Sequence, residues 1–206
     1  MFLEDQITEL TLQVYRKCKI DSFPFDCISI LEEYGYSCVP YQHLNPEKRS
    51  TCKQISHDAF MLNRMIFYND RMIDERKRFS LMHELGHILL KHDTSSPNRE
   101  AEANALASNI LAPRMAIHYA RCRNAAEVSG RFHVSREASF YMYDDYQRWY
   151  RHVFRYGMSP LDKELYQHFY DEKYKCFVWT RNRCRICGAV CVNEKHYCGE
   201  CRRDAV

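Results

Sequence analysis

The sequence predicts an α+β chain: a mainly helical domain with a small antiparallel sheet, followed by a C-terminal module built on four cysteines. Three observations carry that reading. Apolar residues recur at helical spacing in successive segments between residues 2 and 156. Two short apolar runs, Asp58–Leu62 and Met65–Tyr68, are separated only by Asn63-Arg64, the layout of a tight hairpin. Five of the last 23 residues are cysteine, an abrupt shift that puts a boundary near residue 175 and predicts domains 1–175 and 176–206.

Taken in order, Phe2, Leu3, Ile7, Leu10, Val14 and Tyr15 form the stripe of a first helix over residues 2–18. Ser-Phe-Pro-Phe-Asp (22–26) interrupts it, and a second helix runs from about Asp26 to Gly35, a natural C′ residue. Tyr36–Tyr41 reads as a strand and the polar stretch His43–Lys53 as loop; the hairpin follows. Helical spacing returns from Asp74 to about Lys91 and again from about Arg99 to Leu111, after a Ser-Ser-Pro-Asn break. Pro113 ends that helix and can open the next, Arg114–Cys122, and residues 125–156 are helical and rich in aromatics.

Composition narrows the class. The 206 residues are 46% hydrophobic and 28% charged, enough for a core without disulfides. A net charge of +3 is too small to argue for nucleic acid. The N-terminal Met-Phe-Leu-Glu-Asp has acids where an export signal needs a basic stretch, and no run of about 18 apolar residues spans a membrane. Eleven cysteines, an odd number, then point to a reducing cytoplasm, where clustered cysteines read first as metal ligands.

His83-Glu84-Leu85-Gly86-His87 is H-E-x-x-H within a helical pattern. Imidazoles four positions apart lie one above the other and can converge on one ion. Glu84, about 100° round the helix from His83, stands beside the ion, where it can act on water. A catalytic zinc needs a third protein ligand. The alanine-rich helix that follows, Arg99–Ala107, can approach closely and offers Glu100, with Asn104 one turn on along the same face. Asn104 can bond a ligating imidazole and fix its tautomer. Glu102 is the other candidate, but it points about 160° away from that face, so the preference is Glu100. His92, nine positions after His83, is expected to face away as a helix-end residue favoured by the dipole.

The run Arg78–Leu90, RFSLMHELGHILL, followed by Glu100–Pro113, EAEANALASNILAP, resembles the ImmA/IrrE metallo-endopeptidase family, which joins H-E-x-x-H to E-x-x-A-N-x-F-A-x-x-L-L-x-P. The likeness covers roughly residues 5–145 and departs at Leu106, where the family commonly has Phe. It implies a zincin-like fold and a zinc-dependent endopeptidase acting on a protein, often a helix-turn-helix repressor, in phages, mobile elements or stress responses. By position, His83, His87 and Glu100 would bind zinc and Glu84 would be the general base. Two rival readings are a non-catalytic regulator that keeps the fold and binds a protein partner, and a DNA-binding regulator.

Cys184-x-x-Cys187 and Cys198-x-x-Cys201, ten residues apart, fit a structural zinc site with four thiolates, giving two zinc ions per chain. Cys191 is a possible stand-in for one of them. From Thr180 onward six Lys/Arg (Arg181, Arg183, Arg185, Lys195, Arg202, Arg203) face three acids, a poor footprint for nucleic acid once the thiolates are counted. Residues 125–156 carry a helix-turn-helix-like pattern around Val134–Ala138. Phe140, Tyr143, Tyr150, Val153 and Phe154 share one arc of the last helix, with Arg148, Arg151 and Arg155 opposite. Such an arc is expected to be core, and Arg136 is the one strong base-reading candidate.

Overall fold

A computed structural model describes residues 3–93, 96–194 and 197–203, which form the expected α+β, mainly helical architecture. Helix α1, Leu3–Lys17, has acids in its first turn and bases in its last, complementing its dipole, and buries Ile7, Leu12, Val14 and Tyr15. Helix α2, Cys27–Glu33, starts at Asp26, whose carboxylate accepts from the N–H groups of Ile28 and Ser29. It ends before Gly35, which takes φ 80° and lets the chain turn into strand β1, Ser37–Pro40.

The segment expected to be loop is instead a helix, α3, Pro46–Ile55. Asn45 caps it through the Lys48 N–H at 2.9 Å, and Pro46 sits in its first turn. Only Cys52 is buried on it, so it has no apolar stripe; the cap alone marks it. Strands β2, Ala59–Leu62, and β3, Met65–Tyr68, form the antiparallel hairpin, and Asn63 takes the left-handed φ of 56° at the turn. β1 joins β3 in parallel, so the sheet is ordered β1-β3-β2 and leaves β2 as an edge.

Helices α4, Asp74–Leu89, and α5, Pro97–Leu111, pack against each other, and α4 also packs on strands β2 and β3. Helix α6, Arg114–Tyr119, follows Pro113. The helical stretch after 125 is two helices, α7, Ala125–Phe132, and α8, Arg136–Tyr156, broken where His133 takes φ 53°. Helix α9, Pro160–Phe169, begins with a capping box between Ser159 and Asp162. The core gathers Leu12, Tyr15, Phe23, Leu31, Ile66, Leu85, Leu106 and Phe132, all but inaccessible. The Tyr15 hydroxyl donates to the carbonyls of Asn109 (3.0 Å) and Ile110 (2.7 Å), two of the carbonyls that the end of α5 leaves without helical partners.

The aromatic arc of α8 is not core. Phe140 is 62% exposed, Tyr150 43% and Phe154 83%, while Tyr143 and Val153 are half-buried. The helix turns Ser139, Met142 and Trp149 inward instead, and half-buried Asp145 pairs with Arg114 of α6. The five residues span too wide an arc for one face to bury them all.

The composition shift near 175 falls in the turn between two short paired strands, β4, Tyr170–Asp171, and β5, Cys176–Phe177. Phe177, Val178 and Trp179 are buried, and the Trp179 carbonyl accepts from the Phe23 N–H at 2.9 Å. Beyond them, β6, Arg181–Arg183, pairs antiparallel with β7, Val190–Val192, and a short helix α10, Gly199–Arg203, closes the described chain. Among the described residues no helix is long and apolar enough to cross a membrane.

Candidate active site and metal centres

Helix α4 is fixed by Leu81, Met82, Leu85 and Gly86, buried against the core, and this aims His83 and His87 at one point. Their Nε2 atoms lie 2.9 Å apart. Glu100 reaches the same point from the first turn of α5, with its Oε2 3.1 Å from His83 Nε2 and 3.6 Å from His87 Nε2. The position of Glu100 depends on where α5 starts: Ser96 caps the helix through the Arg99 N–H, and Pro97 opens it. One donor atom from each of the three residues lies within 4.8 Å of the others. Asn104 Oδ1 stands 2.8 Å from His83 Nδ1, on the far side of that ring.

Glu102 is turned away from this point and meets His92, Oε2 to Nε2, at 3.1 Å. His92 does not face away from the site. Its Nδ1 lies 2.9 Å from His87 Nδ1, because α4 ends at Leu89 and the chain reverses at Lys91, which takes φ 56°. The expected orientation assumed a helix continuing through residue 92. The signal that could have corrected it is local, since two residues beyond a helix end is where a Schellman reversal folds back.

Glu84 lies on the cavity wall between α4 and β2. Burial, helped by the neighbouring charge of Glu100, pushes its carboxyl up to about 7, against the opposing hydrogen bond from the Met61 backbone. Burial, with His83 beside it, holds His87 below the usual histidine range although Glu100 pulls the other way, so its ring is neutral at pH 7 and free to donate a lone pair. The cavity in front of these groups measures about 530 Å³, and Phe60, Met61 and Phe79 give it an apolar side. This wall, supplied by the edge strand and by Phe79 of α4, was not singled out from the sequence.

Two imidazole nitrogens and a carboxylate oxygen are the donor set of a catalytic zinc site that keeps a position open. The residues fit such an ion on a further count. Both Nδ1 atoms are engaged behind the rings, at Asn104 and His92, which leaves both Nε2 atoms to converge.

The second cluster brings Cys184, Cys187, Cys198 and Cys201 together, again within 4.8 Å of one another. The first knuckle turns tightly: the Gly188 N–H donates to the Cys184 carbonyl at 2.9 Å, and Gly188 takes φ 73°. Cys187 Sγ lies 3.7 Å from Cys198 Sγ, and the Cys201 N–H points at Cys198 Sγ. Backbone N–H groups of Cys187 and Cys198 draw the Cys184 thiol down to about 6, favouring the thiolate a metal needs. Cys191 is not among the four; buried on β7, its thiol points to the Ala189 carbonyl. Arg181 pairs with Asp21 and Asp171, tying the strand that leads into this cluster to the helical body. Lys195 and Asp204 fall outside the described residues, so the charge balance expected of this module stays a sequence reading.

The Peptidase_M78 family model, described as the IrrE N-terminal-like domain, matches residues 44–142. That span holds His83, Glu84, His87, Glu100 and Asn104 and stops before the cysteine cluster. None of the curated proteins compared with the chain matches it.

Proposed function

Since residues 44–142 belong to the IrrE N-terminal-like family of metallopeptidases, we propose that the chain is a zinc-dependent endopeptidase with Glu84 as general base and His83, His87 and Glu100 as zinc ligands. The observation that carries this is the convergence of His83 Nε2, His87 Nε2 and Glu100 Oε2 beside a half-buried Glu84. Zinc, when bound, lowers the pKa of water to about 7 and polarises a carbonyl oxygen.

The chain's own residues supply the rest. Glu84 takes a proton from the attacking water and delivers it to the leaving amine. The burial that raises its pKa lets it hold that proton between the two transfers. Edge strand β2 lies along the cavity, so an extended peptide can pair with its outer backbone groups. The apolar wall of Phe60, Met61 and Phe79 then suits an apolar side chain next to the cleaved bond.

The substrate we propose is a protein, specifically a helix-turn-helix transcriptional repressor whose cleavage relieves repression in a phage, mobile element or stress response. The setting is the cytoplasm. Support for the repressor comes from the family resemblance; support for a protein substrate comes from the edge strand and the open cavity. The second zinc, at Cys184, Cys187, Cys198 and Cys201, is structural, because four thiolates leave no position for substrate.

The test is to incubate the zinc-loaded chain with the transcription factor encoded beside it, in parallel with Glu84→Gln. The wild type cleaves, and the variant keeps its zinc but turns over on the order of 10²–10⁴-fold more slowly. Equal cleavage by both overturns the role of Glu84. Tight binding without cleavage by either supports a regulator that works by binding alone.

A further inference from the structure

The metal ligands do not account for His92 and Glu102. His92 has only 6% of its side chain exposed, and both its ring nitrogens are engaged. It reaches its place through a Schellman motif at the end of α4. Leu90 is the cap, the Lys91 N–H bonds the Ile88 carbonyl at 3.2 Å, and the His92 N–H bonds the His87 carbonyl at 3.0 Å. That motif brings the side chain two residues past the cap onto the one three residues before it. In most helices this contact is apolar. Here it sets one imidazole on another, with ring centroids 5.1 Å apart and planes 67° apart.

Proton counting then fixes the direction of the chain of bonds. For His87 Nε2 to offer a lone pair to a cation, the ring's proton must sit on Nδ1. That N–H points at His92 Nδ1, 2.9 Å away, which must therefore accept. His92 then carries its own proton on Nε2, 3.1 Å from the Glu102 carboxylate, the natural acceptor. Each bond has one proton and each ring one donor and one acceptor. The other ligand is held more simply: His83 Nδ1 donates straight to Asn104 Oδ1.

We infer that His92 and Glu102 are positioning residues that lock His87 in its Nδ1–H tautomer and hold its Nε2 lone pair toward Glu100, so that the affinity of the metal site depends on a carboxylate that never touches the metal. This rests on the proposed metal site. Helix α5 thereby serves the site three times, through Glu100 at the ion, Asn104 behind His83 and Glu102 behind His92.

The experiment is a Co²⁺ titration of the metal-free full chain. Near-ultraviolet thiolate-to-cobalt charge transfer follows the four-cysteine site, and the remaining visible bands follow the histidine–carboxylate site. His92→Phe and Glu102→Leu weaken the histidine–carboxylate site by about 10–100-fold and leave the four-cysteine site unchanged, while an unchanged far-ultraviolet circular dichroism spectrum shows that the helical body is folded. Glu102→Gln, whose amide oxygen still accepts the Nε2 proton, restores most of the affinity. The double variant His92→Phe/Glu102→Leu is no weaker than His92→Phe, because Glu102 acts only through His92. Long-range proton–nitrogen NMR of the wild type shows His92 protonated on Nε2.

If the wild type binds Co²⁺ at this site and His92→Phe binds it equally well, or if His92 is protonated on Nδ1, the inference is overturned while the metal site stands. If the wild type shows only the thiolate site, the metal site fails and the inference falls with it.

Discussion

A methyl group placed on Gly86 would stand 3.0 Å from both the Cα and the carbonyl oxygen of Ala103. Helices α4 and α5 therefore touch backbone to backbone one residue from His87, and Glu100 reaches the histidines because of that approach. Gly86→Ala gains about 1 kcal/mol in helix propensity. It also forces an overpacked contact, typically costing about 1–3 kcal/mol, and the obstacle is backbone that cannot rotate aside. The clash wins. The variant should unfold at lower urea concentration and bind zinc at the histidine site more weakly. A variant as stable as the wild type, with the same affinity, would show that the helices are free to separate.

Much of this arrangement is legible in the sequence, and for identifiable reasons. The spacing of His83 and His87, and of Glu100 and Asn104, is set by helix geometry alone, so residue numbers translate directly into facing positions. The alanines of α5 announce a close helix pair. The knuckle cysteines are read from spacing in the same way. What escaped were features set by chain reversals and by tertiary choice. Helix α3 has a cap but no apolar stripe, so periodicity passes over it. His92 is placed by a left-handed residue, Lys91, that nothing in the composition marks, lysine being an unremarkable choice at a position usually given to glycine. The start of α9, Ser159-Pro160-Leu161-Asp162, carries a capping box that could have been read.

Cys191 lies in the same module as the four clustered thiols, but its sulfur is turned to the Ala189 carbonyl. Cys191→Ala should therefore retain both metal equivalents, while Cys198→Ala should lose one and leave the histidine site loaded. Metal analysis by mass spectrometry on purified chains decides this. Loss of an equivalent in Cys191→Ala, with none lost in Cys198→Ala, would exchange their assignments. A module of this size owes much of its folding energy to the ion, so chelation should also unfold residues beyond Thr180 before the helical body.

Two groups outside the candidate metal site add to the response to acid. Burial opposes ionisation of Asp26, but the Ser29 hydroxyl, the Ile28 and Ser29 N–H groups and Arg78 outweigh it and hold its carboxyl below the usual range. Its contribution is thus full above about pH 4, the ordinary carboxylate value, and is lost as pH falls through the lower folded value. Burial alone depresses His118, whose ring lies among Tyr146, Trp149 and Tyr150. The folded chain resists protonating it, so stability begins to fall once pH drops below about 6.5, where the unfolded chain takes up the proton. The contribution of each group declines in its own window, and it is read as the difference in stability between the wild type and the matching variant at each pH. His118→Phe should flatten the upper one and Asp26→Asn, which keeps the cap, the lower. An unchanged slope between pH 5 and 6.5 in His118→Phe would remove that residue from the account.

The outer face of α8 separates what periodicity implies from what the fold buries. Phe154 is 83% exposed and Trp149 only 6%, although both are aromatic and lie five residues apart on one helix. Trp149 also donates its indole N–H to Asp162 at 3.0 Å, tying α8 to the start of α9. Truncation should expose the difference. Trp149→Ala removes buried ring and orphans part of a capping network, a loss of about 3–5 kcal/mol. Phe154→Ala removes surface already in water and should change stability by no more than about 0.5 kcal/mol. Chemical denaturation of the two variants under one condition makes the comparison. A cost above about 2 kcal/mol for Phe154→Ala would mean that this face is covered in solution and that the helix has a partner.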